Sequence, residues 1–123
     1  MLNRVTIIGN VATNPPQLRS TPTGDAVVSF RVAVNENWTD REGKREEHTE
    51  WFNVVCFRRL AENCSKHLTK GRQVYVEGRL RTREFEGHDK VKRNVTEIFA
   101  SRVVFLGPRA RDEPSAGDDG SAE

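Results

Sequence analysis

An all-β fold is predicted by three features of this chain. Apolar and polar residues alternate over several runs, one stretch alone has helical periodicity, and turn-forming residues separate the runs. VVSFRVAVNENW (27–38) alternates cleanly, with Val28, Phe30, Val32 and Val34 on one face and Ser29, Arg31 and Ala33 on the other. RRLAENCSKHLTKG (58–71) instead repeats Leu60, Ala61, Cys64 and Leu68 at helical spacing. Three strand-like runs precede this helix and two follow it. Five strands with a short helix between the third and fourth is the element order of an OB-fold, a small, partly open barrel. SH3-like barrels and other small β folds fit the pattern as well.

Each element has its own justification. The first strand, within LNRVTIIGNV (2–11), mixes alternation with an apolar run. Pro22-Thr23-Gly24 marks a turn before the second strand, and a charged loop at 39–48 follows it. TEWFNVVCF (49–57) is occupied on both faces: Trp51, Asn53, Val55 and Phe57 on one, Phe52, Val54 and Cys56 on the other. Periodicity alone does not say which of these faces is core. The helix ends at Lys70-Gly71.

The fourth strand, RQVYVEGRLRTREF (72–85), sets an apolar face of Val74, Val76, Gly78, Leu80 and Thr82 against a face of Tyr75, Glu77, Arg79, Arg81, Arg83 and Phe85. After a turn at Glu86-Gly87-His88-Asp89, VKRNVTEIFASRVVFLG (91–107) forms the last strand, and a slip in its pattern near Ile98 suggests a bulge. From 107 to 123 there is no large apolar residue and many Pro, Gly, Ser and acidic residues. Such a segment buries too little surface to offset its ordering entropy. The expected organisation is one OB-fold domain over 1–106 and a disordered acidic C-terminal tail over 107–123.

A chain of 123 residues suits a single domain. The net charge is only +2, but residues 1–106 carry 18 Lys and Arg against 13 Asp and Glu, whereas 107–123 carry 2 against 5. A basic body suits a polyanionic partner, since each neutralised phosphate releases counterions. No secretory signal or membrane-spanning run is present, so a cytoplasmic location is expected, with no membrane partner. Cys56 and Cys64 are then expected to be free and buried rather than paired. Cys64-x2-His67 offers two ligands where a structural zinc normally takes four, so no metal and no cofactor are expected. Neither a phosphate-cradling glycine loop nor G-x-S-x-G is found, which argues against an enzyme.

What remains is a pattern of rings and cations. Trp38 stands where the second strand meets a very polar loop, Trp51 and Phe57 share a face of the third strand, and Phe85 closes the arginine series of the fourth. Binding a single strand without sequence preference needs cations that follow phosphates and flat π surfaces on which bases stack. Trp38, Trp51, Phe57 and Phe85 are the candidate stacking residues, with Arg79, Arg81 and Arg83 as phosphate contacts.

Through NRVTIIGN, NENW, TEW, VVCFRRLAE, KGRQVYVEGRLRTR and the closing strand, residues 2–106 resemble the bacterial single-stranded DNA-binding (SSB) proteins. The resemblance implies base stacking at Trp38, Trp51 and Phe57, and backbone contacts at Arg4, Arg19, Arg59, Lys70, Arg81 and Arg83. It also implies roles in DNA replication, recombination and repair, a nucleoid-associated location, and a homotetramer built through the N-terminal strands and sheet faces. The chain departs from the family at several points. Phe85 falls where many relatives have tryptophan, Glu84 where some have lysine, and Phe52 where some have histidine. The acidic end does not carry the Pro-Phe tip with which relatives dock replication and repair proteins, so those partners are implied by the resemblance without their docking tip. Two rival expectations use the same fold: a primosomal type of protein-interaction adaptor, which would lack much of the stacking set, and a binder of single-stranded RNA.

Overall fold

The computed structural model describes residues 1–13 and 18–107. The tail expected beyond Gly107 lies outside the described residues. Six strands and one helix follow in order: β1 (Val5–Val11), β2 (Arg19–Ser20), β3 (Ala26–Thr39), β4 (Arg45–Phe57), α1 (Arg58–His67), β5 (Gln73–Glu86) and β6 (Lys92–Leu106). They form one sheet in the order β1-β5-β6-β4-β3-β2. β1 also pairs with β3 through Asn10↔Ala33 and Val11↔Val32, which closes β1, β3, β4, β5 and β6 into a five-stranded barrel. The short β2 is an addition to the expected five, laid on the edge of β3.

Closure requires two close approaches of backbone. At Gly9, where β1 passes from β5 to β3, a Cβ would stand 2.4 Å from the carbonyl oxygen of Ala33. At Gly78 it would stand 2.2 Å from that of Phe99. Only glycine fits either site.

The alternation read in the second strand carries through to the core. Val28, Phe30 and Val32 of β3, Val54 and Cys56 of β4, Val74 and Val76 of β5, and Ile98 and Val103 of β6 are buried together. Ala61 and Cys64 of α1 join them, followed by Leu68 just past the helix. The helix ends at His67 rather than near Lys70, because Leu68 turns to an extended conformation; Gly71 then occupies a turn at φ 93°. Lys66 and His67 in its last turn complement the helix dipole.

Three other expectations need correction. The charged loop is only 40–44, since Asp40 accepts hydrogen bonds from the amides of Glu42 and Lys44, and β4 begins at Arg45. The apolar face of the fourth strand stops at Val76: Leu80 and Thr82 are exposed because the β5–β6 hairpin runs on past the end of the barrel. The irregularity in the last strand falls at Ser101, not Ile98. Glu77 pairs with Arg102 and Gly78 with Ala100, leaving Ser101 without a partner in the register. Its hydroxyl donates to the carbonyl oxygen of Glu77.

Candidate nucleic-acid interface

Register decides which side chains are neighbours. β3 and β4 pair antiparallel without a break from Val27↔Phe57 to Thr39↔Arg45. β4 pairs with β6 in parallel, through Asn53↔Glu97 and Val55↔Phe99. β6 then pairs with β5 through Phe99↔Arg79, Glu97↔Arg81, Val95↔Arg83 and Arg93↔Phe85. Directly paired residues share a face. One outer surface therefore crosses four strands, with rows Arg31–Asn53–Glu97–Arg81 and Ser29–Val55–Phe99–Arg79. Because Phe52, Val54 and Cys56 fill or flank the core, Trp51, Asn53, Val55 and Phe57 are the outward set, which answers the question periodicity left open.

The rings and cations on this surface touch one another. Trp51 is 51% exposed, and the guanidinium carbon of Arg31 lies 4.7 Å from its ring centroid. Phe57 and Phe99 meet at 5.3 Å between centroids with an interplanar angle of 55°. Arg81 and Arg79 lie over Phe99 at 5.2 and 5.9 Å. Guanidinium stacking of this kind holds a cation against a ring while its N–H groups still face solvent. Further along the hairpin, Phe85 continues the same face of β5 and is 40% exposed.

Not every expected residue joins this surface. Trp38 pairs with Glu46, and unbroken alternation puts it on the side of the β3–β4 hairpin that carries Val28, Phe30 and Val32 lower down. There, beyond the barrel, it is 49% exposed but faces away from Trp51. Lys70 lies in the α1–β5 turn, at the end of β5 remote from Arg81. Arg59 is exposed in the first turn of α1. Arg19 of β2 is paired with Val27, itself the partner of Phe57, and so borders the ring surface. Arg4 is engaged by the carboxylate of Glu77. Arg83 donates to Glu97 through Nε at 3.0 Å and through a second nitrogen at 3.4 Å.

Three members of this surface were not among the sequence candidates. Arg31 lies on the strand face opposite Val28, Phe30 and Val32, but nothing local in the sequence ties it to Trp51. Phe99 lay in the strand whose pattern slips, so its face could not be read. Glu97 is only 8% exposed, an acidic group set into a basic surface. Among the described residues, no group of three or more His, Cys, Asp or Glu is placed to hold a metal ion, and no helix is long and apolar enough to cross a membrane.

A small closed barrel with an open, ring-lined and basic sheet face is the form of an oligonucleotide-binding module. The chain belongs to the single-strand binding protein family, whose model matches residues 2–106. It is 42% identical over 116 residues to a single-stranded DNA-binding protein of Neisseria meningitidis, an alignment covering 94% of this chain and 65% of that relative's length. Single-stranded DNA-binding protein 2 of Staphylococcus aureus is 44% identical over 109 residues, covering 89% of this chain and 75% of the relative. Among solved structures, a Plasmodium falciparum SSB complex with ssDNA superposes with a TM-score of 0.79 at 33% identity, covering 87% of this chain and 97% of that one.

Proposed function

We propose that this chain binds single-stranded DNA without sequence preference, as its family and the named relatives suggest, and coats it during replication, recombination and repair. The observation that carries the reading is the continuous outer face on which Trp51, Phe57 and Phe99 alternate with Arg31, Arg79 and Arg81. Bases stack on the rings while phosphates follow the guanidinium groups, a division of labour that reads no base edge. Binding only the open strand then shifts duplexes and hairpins toward opening by mass action. Phe85, Arg19 and Arg83 extend the path, and Trp38 engages a strand that wraps around the β3–β4 hairpin. Arg4, Arg59 and Lys70 belong to such a wrapped path rather than to the flat surface.

Residues 1–106 form the binding unit in this reading, with the acidic segment after it as a tail. The proposal includes a homotetramer, as the family resemblance implies; Ile8, exposed on β1, offers apolar surface for a subunit contact. Four linked sites on one strand also raise the effective concentration of each. The test is a fluorescence titration with oligo(dT). Quenching of Trp38 and Trp51 at low salt supports the reading, and unchanged emission overturns it. Competition with matched RNA oligomers separates DNA from RNA, and sedimentation gives the oligomeric state.

A further inference from the structure

Beside the stacking face, between the segment leading into β1, the start of α1 and the bulged part of the β5–β6 ladder, lies a recess of about 530 Å3. Leu2, Arg4, Phe57, Arg58, Arg79 and Phe99 line it. That volume lies in the range of small-molecule sites, roughly 300–1,000 Å3. We propose that this recess extends the stacking face by one nucleotide subsite, resting on the single-strand reading above, in which one base packs against Phe99 while Arg58, outside the face itself, joins Arg79 in holding its phosphate.

Three observations converge on it. The rings of Phe57 and Phe99 are tilted at 55°, so they form a wedge, and a base lying flat on one presents its edge to the other. Of the three arginines, Arg4 is already held by Glu77, whereas Arg79 makes only a loose ring contact. Arg58 reaches Asp25 at 3.6 Å, its own side chain largely in solvent and that of Asp25 half-buried, a long contact that a phosphate oxygen can displace.

The third observation is backbone strain. Arg58 has φ 59°, in the left-handed region that favours glycine, yet the chain places an arginine there, at the lip of the recess. Glycine would hold the same backbone with less strain, and the guanidinium that stands there instead has, among the described residues, the long contact to Asp25 as its ion pair, which leaves N–H groups for a phosphate. The bulge at Ser101 lies two residues beyond Phe99, and Ser101 itself lines the recess.

The experiment uses the full chain, titrated with oligo(dT) of increasing length at two salt concentrations and followed by tryptophan quenching. Arg58→Gly relieves the strain and so should melt at or above the parent temperature. It is expected to bind about three- to tenfold more weakly, with a logarithmic salt slope shallower by about 0.7. Phe99→Leu keeps apolar volume but removes the ring, and is expected to bind about tenfold more weakly. An Arg58→Gly protein with the parent's affinity and salt slope overturns the subsite, whatever Phe99→Leu does. A parent that is not quenched at all overturns the single-strand reading itself, so the two failures are distinct.

Discussion

Arg31 and Trp51 stand on neighbouring strands, 4.7 Å from guanidinium carbon to ring centroid, although neither is the direct partner of the other: Arg31 pairs with Asn53 and Trp51 with Ala33. In the proposed reading the diagonal contact presents a flat ring and a positive charge to the same nucleotide. Trp51→Ala is expected to weaken oligo(dT) binding by about 1–3 kcal/mol, the value of one stacked base. Arg31→Ala should cost less, about 0.5–1 kcal/mol, the usual range for an exposed cation–π contact. Anisotropy of a labelled oligonucleotide measures both. The double variant should lose less than the two single losses together, because each side chain positions the other.

Glu97 works against the surface that contains it. Its carboxylate accepts from Arg83 and lies across from Arg81, so it draws off positive charge that phosphates would otherwise meet. Glu97→Gln is expected to tighten binding several-fold, with a salt slope steeper by about 0.7 if one more phosphate is neutralised. Stability should change little, since Arg83 is mostly exposed and stays hydrated without its partner. Weaker binding by the variant would show instead that Glu97 serves mainly to orient Arg83.

Gly78 and Gly87 make a matched pair for testing barrel closure. A Cβ on Gly78 meets the backbone of Phe99 and Ala100, which cannot move without breaking the ladder. Gly78→Ala should therefore destabilise by about 1–3 kcal/mol, and the melting temperature should fall by on the order of 10 °C. On Gly87 the nearest atom is the guanidinium of Arg93, the far end of a flexible chain. Gly87→Ala should stay within about 0.5 kcal/mol of the parent.

Cys56 and Cys64 are both fully buried, their sulfur atoms 3.9 Å apart. The hydrogen bond to Cys64, followed by burial, pushes the Cys56 thiol far above its ordinary range. A proton held more tightly in the folded state stabilises fully below the unfolded thiol value, about 8.5, and progressively less as pH rises above it. The melting temperature should therefore fall above about pH 9, more steeply than in Cys56→Ala. At neutral pH, iodoacetamide should modify neither thiol faster than the chain unfolds, as mass spectrometry of the intact protein can follow.

The sequence by itself determined the number and order of the long strands, the place of the helix, the core of β3 and the arginine series of β5. Those features depend on alternation and helical spacing, which are written within a dozen neighbouring residues. The tertiary structure alone decided which of those side chains meet. The parallel pairing of β4 with β6 brings Val55 beside Phe99, and the pairing with β5 puts at Ser101 the bulge that the pattern alone suggests near Ile98. Unbroken register across the β3–β4 hairpin turns Trp38 away from Trp51, and Glu77 captures Arg4 across a separation of 73 residues. Faces are local properties of a strand, but neighbours across a barrel are set by register and closure. Both depend on residues distant in sequence.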